Sequence, residues 1–225
     1  MKEENHNIKK SKKPWPTKDA MEQIYEMKLW GGSAYDFYSG SGSHDPKIVD
    51  TYLENVTSFL QSFDAPITIC DLGCGDFNVG KELVRHSDKY FAIDIVSNLI
   101  TRNKEKFKAD NLEFHCLNIA TDNLPAADCI LLRQVLQHLS NAEVKAVLDK
   151  LSSYKYVILT EHIPVGEFTA NKDIISGQGI RIKKQSGLNI LTAPFNFKIK
   201  SETKLSSIIL ENKKGIIMTT LYQIF

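Results

Sequence analysis

Two acidic residues flanking a glycine turn are the first sign of chemistry in this chain. The segment Asp71-Leu72-Gly73-Cys74-Gly75-Asp76-Phe77-Asn78-Val79-Gly80 leaves a short apolar run and enters a helical stretch. Glycines at such a turn let the backbone bend sharply and pass close to a ligand. A second acid, Asp94, ends the next apolar run, Tyr90-Phe91-Ala92-Ile93-Asp94, and lies 19 residues after Gly75. In open α/β sheets ligands bind beyond the carboxyl ends of the strands, where an acid on the second strand accepts the hydroxyls of a ribose. The combination predicts an adenosine-containing ligand. A dinucleotide would call for G-x-G-x-x-G, which brings a helix N-terminus onto a pyrophosphate; here Asn78 holds the third glycine's place. Asp71, two residues before the first glycine, would repel pyrophosphate and suits a cationic ligand bearing an ammonium group.

These residues need strands and helices to hold them. ITICDL (67–72) is short, apolar and β-branched, as a buried parallel strand should be. A helix over 78–87 follows it. YFAIDI (90–95), LEFHCLNI (112–119), ADCILLR (127–133) and YKYVILTEH (154–162) read as further strands. Helices run between them from Ser97, as a cap, to about 109, and over 141–153. KLSSIILEN (204–212) and GIIMTTLYQIF (215–225) are separated only by Lys213-Lys214. That gap holds no crossover helix, so the pair is an antiparallel hairpin. The fold class expected is α/β: a Rossmann-like, doubly wound, seven-stranded and mostly parallel sheet with an antiparallel C-terminal hairpin. Ahead of it, 19–30 has helical spacing. Residues 31–45 form a Gly/Ser loop that carries Tyr35, Phe37 and Tyr38, and Asp45-Pro46 starts a helix to about Phe63. The organisation expected is a disordered basic tail at 1–14, a helical extension and cover loop at 15–64, and one domain at 65–225 with an insert at about 163–204.

Asp71 through Gly80 resembles motif I of the class I S-adenosylmethionine-dependent methyltransferases, whose cofactor carries both an ammonium and a sulfonium. The resemblance extends through Asp94, through Asn118-Ile119 after the third strand, and through ADCILLRQVLQHLSN after the fourth. It implies that Asp71 orients the methionine amine, directly or through water, and that Gly73 and Gly75 pass their backbone along the cofactor. It implies that Asp94 holds the ribose, that Ile95 lies against the adenine, and that Asn118 and Ile119 fix that ring. Arg133 and Gln134 then face the methionine end and the acceptor. Phe77 stands where many members carry glycine, and its bulk is expected to shape the pocket wall. Asn118 stands where many carry Asp.

Methyl transfer needs an aligned nucleophile stripped of its proton, and histidine suits the base role at neutral pH. The candidates are His162 beside Glu161 at the end of the fifth strand, His138 after the fourth, and His44 in the Gly/Ser loop. Arg181, Lys183 and Lys184 in the insert hint at an anionic acceptor. No Asn-Pro-Pro-Tyr signature of amino-group methylation follows the fourth strand, which favours a small-molecule acceptor over DNA. Two other readings stay open: a non-catalytic S-adenosylmethionine-binding protein, and an RNA or protein methyltransferase that docks through the basic tail.

The composition is that of an ordinary globular protein, 42% hydrophobic and 24% charged over 225 residues. It excludes bulk disorder, a collagen-like fibre and a disulfide scaffold. Residues 1–13 hold five lysines against two glutamates, a local +3 in a chain of net +1, which leaves −2 for the rest. Near-neutrality gives no global case for nucleic acid. No run approaches the roughly 20 apolar residues of a membrane span, and no apolar stretch follows the basic N-terminus. Cys70, Cys74, Cys116 and Cys129 form no metal-ligand pattern with histidine and read as reduced thiols, so a metal-free cytoplasmic protein is expected.

Overall fold

The computed structural model describes residues 14–211 and 215–225. The apolar runs are strands in it: β1 (Ile69–Leu72), β2 (Tyr90–Asp94), β3 (Leu112–Cys116), β4 (Cys129–Arg133), β5 (Tyr156–Ile163), β6 (Ser201–Ile209) and β7 (Ile216–Gln223). They form one sheet in the order β3-β2-β1-β4-β5-β7-β6. The first five pair in parallel, and β7 runs antiparallel between β5 and β6. This is the expected mostly parallel sheet with its C-terminal antiparallel pair.

Alternation along the central strands sends side chains to two cores. Cys70, Leu72, Ile130 and Leu132 pack against Val144, Val147 and Leu148 of α5 (Asn141–Leu151). Ile69, Leu131 and Ile158 pack on the other face against Val49, Tyr52 and Val56 of α2 (Pro46–Leu60). Burial on both faces is why these strands carry few polar residues. Asp45 caps α2 as expected, accepting from the Lys47 amide at 3.0 Å, with Pro46 in the first turn.

Several elements differ from expectation. The first helix is α1 (Thr17–Glu26), and 27–30 is a turn. The helix expected over 78–87 is a single turn, α3 (Gly80–Leu83), followed by a 3-10 turn at Val84–His86. Phe77 is the reason: it sits at φ 62°, so the chain is still turning there and helical backbone starts late. Ser97 does not cap α4 (Ser97–Lys106); its hydroxyl donates to Glu22 at 3.2 Å, and Asp94 instead accepts from the Val96 amide at 3.0 Å. β3 stops at Cys116, and Asn118 folds back so that its side-chain oxygen accepts from the Ala120 amide at 2.9 Å. Between β5 and β6 the regular structure is one short 3-10 helix, Arg181–Lys184. The expected basic tail, apart from Pro14, and the Lys213-Lys214 turn lie outside the described residues. No helix among the described residues is long and apolar enough to cross a membrane.

Candidate functional site

A cavity of about 410 Å³ opens at the carboxyl ends of β1, β2 and β4. Asp71, Gly73 and Gly75 line it from the first strand and its turn, and Asp94 and Ile95 from the second. Asn118 and Ile119 contribute after β3, and Arg133 and Gln134 at the end of β4. Every residue expected to touch a cofactor thus lies on one wall system.

The backbone of the turn is what opens the space. Gly73 has φ 81° and Gly75 φ 56°, a region where other residues are strained. A Cβ on Gly73 would fall 2.4 Å from Val135 Cγ2, and one on Gly75 would fall 2.4 Å from Ser39 Oγ. The turn is tied down from three sides. Gly75 N–H donates to Asp94 Oδ2 at 3.1 Å, Asn103 Nδ2 donates to the Gly75 carbonyl at 2.8 Å, and Arg102 Nη1 donates to the Asp76 carbonyl at 2.8 Å.

The two acids differ in setting. Burial pushes the Asp71 carboxyl up to about 7, against the opposing pull of the Tyr90 hydroxyl, which donates to it at 2.9 Å, and of Arg133. Burial raises Asp94 too, opposed by the amides of Val96, Gly75 and Ile95. Each Asp94 oxygen accepts one backbone N–H, which leaves further lone pairs on both.

The N-terminal loop is strapped over the turn. Ser39 N–H donates to Asp76 Oδ2 at 2.9 Å, the Asp76 amide donates to Ser39 Oγ at 2.8 Å, and Tyr25 Oη lies 2.9 Å from Ser39 Oγ. Asn78 Nδ2 donates to the Ser43 carbonyl at 2.8 Å. Arg133 reaches the same loop through Ser43 Oγ at 3.1 Å and the Gly42 carbonyl, with its guanidinium over the Tyr52 ring at 5.0 Å. Residues 39–43 therefore roof the cavity, and Ser41 is on its wall. Tyr38 stacks with Tyr35 and with His44 away from it, and Phe37 packs on Tyr25.

The candidate bases are not brought together. His44 is off the cavity wall, with Nε2 2.6 Å from Asp76 Oδ2. His138 is on the wall with both ring nitrogens engaged. Gln137 Oε1 accepts from the His162 amide at 3.1 Å, which leaves Gln137 Nε2 to donate to His138 Nε2 at 3.3 Å; His138 Nδ1–H then donates to the Gly177 carbonyl at 3.1 Å. Burial lowers His138 to about 4, so it stays neutral. His162 lines the cavity. Glu161 does not; it is buried on β5, and burial raises it to about 8 against the opposing Arg181 guanidinium.

The insert supplies the far wall through Gln178, Ile180 and Lys183. Arg181, expected to signal an anionic ligand, is 1% exposed and faces away from the cavity. Its guanidinium donates to the carbonyls of Leu136 at 3.1 Å and Leu139 at 2.8 Å and to Asn141 Oδ1 at 2.7 Å. Lys184 donates to the Asp173 carbonyl at 2.7 Å and is likewise off the wall. Phe77, expected at the pocket wall, points into the core instead, edge-on to Tyr90, Phe107 and Phe114. Its backbone turn aims the ring under the sheet. Sequence reasoning missed Asp76, Gln137, Tyr25 and Trp30. Only Asp76, an Asx residue inside the glycine turn, carried a local signal.

Residues 70–154 match the family model described as a methyltransferase domain. No curated protein sequence matches the chain significantly. Among solved structures, the fold is similar to the N-methyltransferase NodS from Bradyrhizobium japonicum WM9 in complex with S-adenosyl-L-homocysteine. That match has a TM-score of 0.64 at 10% identity and covers 89% of this chain and 98% of that one. It is also similar to magnesium protoporphyrin IX methyltransferase (ChlM) from Synechocystis PCC 6803 with bound S-adenosylmethionine. There the TM-score is 0.59 at 15% identity, covering 95% of this chain and 100% of that one. Residues 70–154 are thus similar to methyltransferase domains, and the fold around them is similar to that of the solved methyltransferases.

Proposed function

We propose that this protein is an S-adenosylmethionine-dependent methyltransferase acting on a small-molecule acceptor by in-line transfer. The observation that carries this reading is the pair of buried carboxylates, Asp71 and Asp94, on either side of an open glycine turn in one cavity. The residues present fit the cofactor. The positive-φ glycines leave a groove that a Cβ would fill, Asp94 has lone pairs to spare for two hydroxyls, and Asp71 offers a partner to an ammonium.

When bound, the cofactor supplies a methyl group on a cationic sulfur, already activated for displacement. Asp71 holds the amine and Asp94 the ribose, while Ile95, Asn118 and Ile119 bracket the base. The roof at 39–43, fastened through Asp76 and Arg133, keeps water from the reacting end. Gln134, on the cavity wall, stands in a left-handed conformation at φ 58°, with a buried side-chain amide nitrogen that has no partner among the described residues. Strain and an idle donor at one residue are characteristic of a binding position. A cavity roofed from the N-terminal side supports a small acceptor over a polymer. All four cysteines are free, which fits a reducing compartment, and we place the protein in the cytoplasm.

Calorimetry with S-adenosylmethionine, S-adenosylhomocysteine and NAD tests the reading. Binding of the two adenosyl ligands with no response to NAD is expected, and NAD binding alone overturns it. Release of S-adenosylhomocysteine in an acceptor screen separates an enzyme from a cofactor-binding protein without activity.

A further inference from the structure

The wall after β3 is held from behind by a side chain that does not line the cavity. Leu117, Asn118, Ile119 and Ala120 form that wall, on a loop that turns back on itself. The Asn118 carbonyl accepts from the amides of Thr121 at 3.1 Å and Asp122 at 2.8 Å. A trans peptide is planar, so the Ile119 N–H points the opposite way, out of the turn. It donates to no group among the described residues. The next peptide is pinned at both ends. The Ala120 N–H donates to Asn118 Oδ1 at 2.9 Å, and the Ile119 carbonyl accepts from Lys150 Nζ at 3.0 Å. Lys150 stands in the last turn of α5, and its ammonium also donates to the Asp122 carbonyl at 2.6 Å. Asp122 closes the turn, its carboxylate accepting from the Asn118 amide at 2.9 Å.

Both peptide planes beside Ile119 are thus fixed, and its idle N–H keeps one direction. That direction discriminates between purine bases. The N1 of adenine accepts a hydrogen bond and its exocyclic nitrogen donates; in hypoxanthine N1–H donates and the exocyclic oxygen accepts. A fixed N–H pairs with the first edge and opposes the second, whereas a loose loop turns to suit either. We infer that Lys150 is a positioning residue for base recognition: by gripping the Ile119 and Asp122 carbonyls from outside the cavity, it makes the site select adenine over hypoxanthine. The inference rests on the methyltransferase reading above, which sets the base against Ile95, Asn118 and Ile119. Tyr154, four residues beyond Lys150, supplies an internal comparison. Its hydroxyl donates to the Pro125 carbonyl at 2.8 Å, past the residues that line the cavity.

Calorimetry on the full-length protein with S-adenosylhomocysteine and S-inosylhomocysteine, which differ only at that base edge, tests this. The parent protein should prefer the adenosyl ligand by at least about a hundredfold. Lys150→Met should weaken the adenosyl ligand about tenfold and leave the inosyl ligand within about threefold, so that the preference narrows. Lys150 is only partly buried, so the variant is expected to fold. Lys150→Arg, whose guanidinium can grip the same carbonyls, should restore most of the preference. Tyr154→Phe should keep the preference in full. Equal losses for both ligands in Lys150→Met, an unchanged preference there, no recovery in Lys150→Arg, or the same narrowing in Tyr154→Phe overturns the inference. Failure of S-adenosylhomocysteine to bind the parent protein overturns the methyltransferase reading and the inference with it.

Discussion

His44 Nε2 lies 2.6 Å from Asp76 Oδ2 and joins the N-terminal loop directly to the glycine turn. The ring is also stacked on Tyr38 at 4.5 Å, so one side chain fixes both the roof and the aromatic group above it. Charge-assisted bonds at sites this sheltered are worth about 1–3 kcal/mol. His44→Ala is therefore expected to lower stability by about 1–2 kcal/mol and to speed S-adenosylhomocysteine release several-fold. Urea denaturation and stopped-flow fluorescence, with Trp30 on the cavity wall as reporter, measure the two effects. An unchanged release rate would show that the roof does not gate the cavity.

Asp94→Ala should abolish most cofactor affinity. It removes the proposed ribose acceptor and leaves the Gly75 and Val96 amides without their partner. A loss of about a hundredfold, near 3 kcal/mol, is expected by calorimetry with S-adenosylhomocysteine. Full affinity in this variant would refute the ribose assignment.

Asp71, as the proposed partner of the amine, should make affinity depend on pH. Its carboxyl is raised to about 7, so it is largely neutral below that pH and ionised above it. Only the ionised form attracts an ammonium, so S-adenosylhomocysteine should bind more tightly as pH rises through about 7. Asp71→Asn should bind more weakly and lose that dependence. A rise of the same size in Asp71→Asn would place the titrating group elsewhere.

Glu161 acts on stability with a definite sign. Burial raises it to about 8 in the folded chain, well above its ordinary value of 4.5. Between those values the folded protein holds a proton that the unfolded chain releases, so this group's contribution falls as pH rises from about 4.5 to about 8 and levels beyond. Glu161→Gln removes the slope and should be more stable than the parent by about 1–3 kcal/mol near pH 9. Equilibrium denaturation across pH checks it, and parallel curves for the two proteins would count against it.

Arg181→Met tests the anchor of the insert. It strips buried donors from the carbonyls of Leu136 and Leu139 and from Asn141 Oδ1, with an expected loss of about 3–5 kcal/mol. A loss below about 1 kcal/mol in urea denaturation would mean that water replaces the guanidinium at no great penalty.

Much of this was legible in the chain because it obeys local rules. The strands announce themselves as short β-branched runs, and the Lys213-Lys214 gap leaves room for nothing but a hairpin. Asp71, the glycines and Asp94 stand at strand ends, where a parallel sheet necessarily gathers them. The illegible part depends on contacts distant in sequence. Arg181 and Lys183 are two residues apart and look alike in a basic run, yet one is buried against carbonyls more than 40 positions earlier and the other faces the cavity. Phe77 looks like a pocket residue until its left-handed backbone turns the ring into the core. His138 looks like a base until Gln137 and Gly177 occupy its nitrogens.

The way Arg181 is held has a consequence for how such a site can change. Apart from Asn141, its guanidinium grips main-chain oxygens, which every amino acid provides. The wall side chains beside it at 178, 180 and 183 are thus free to vary without loosening the clamp. A lineage could swap Gln178, Ile180 or Lys183, and with them the chemistry of that wall, while the glycine turn across the cavity stays untouched.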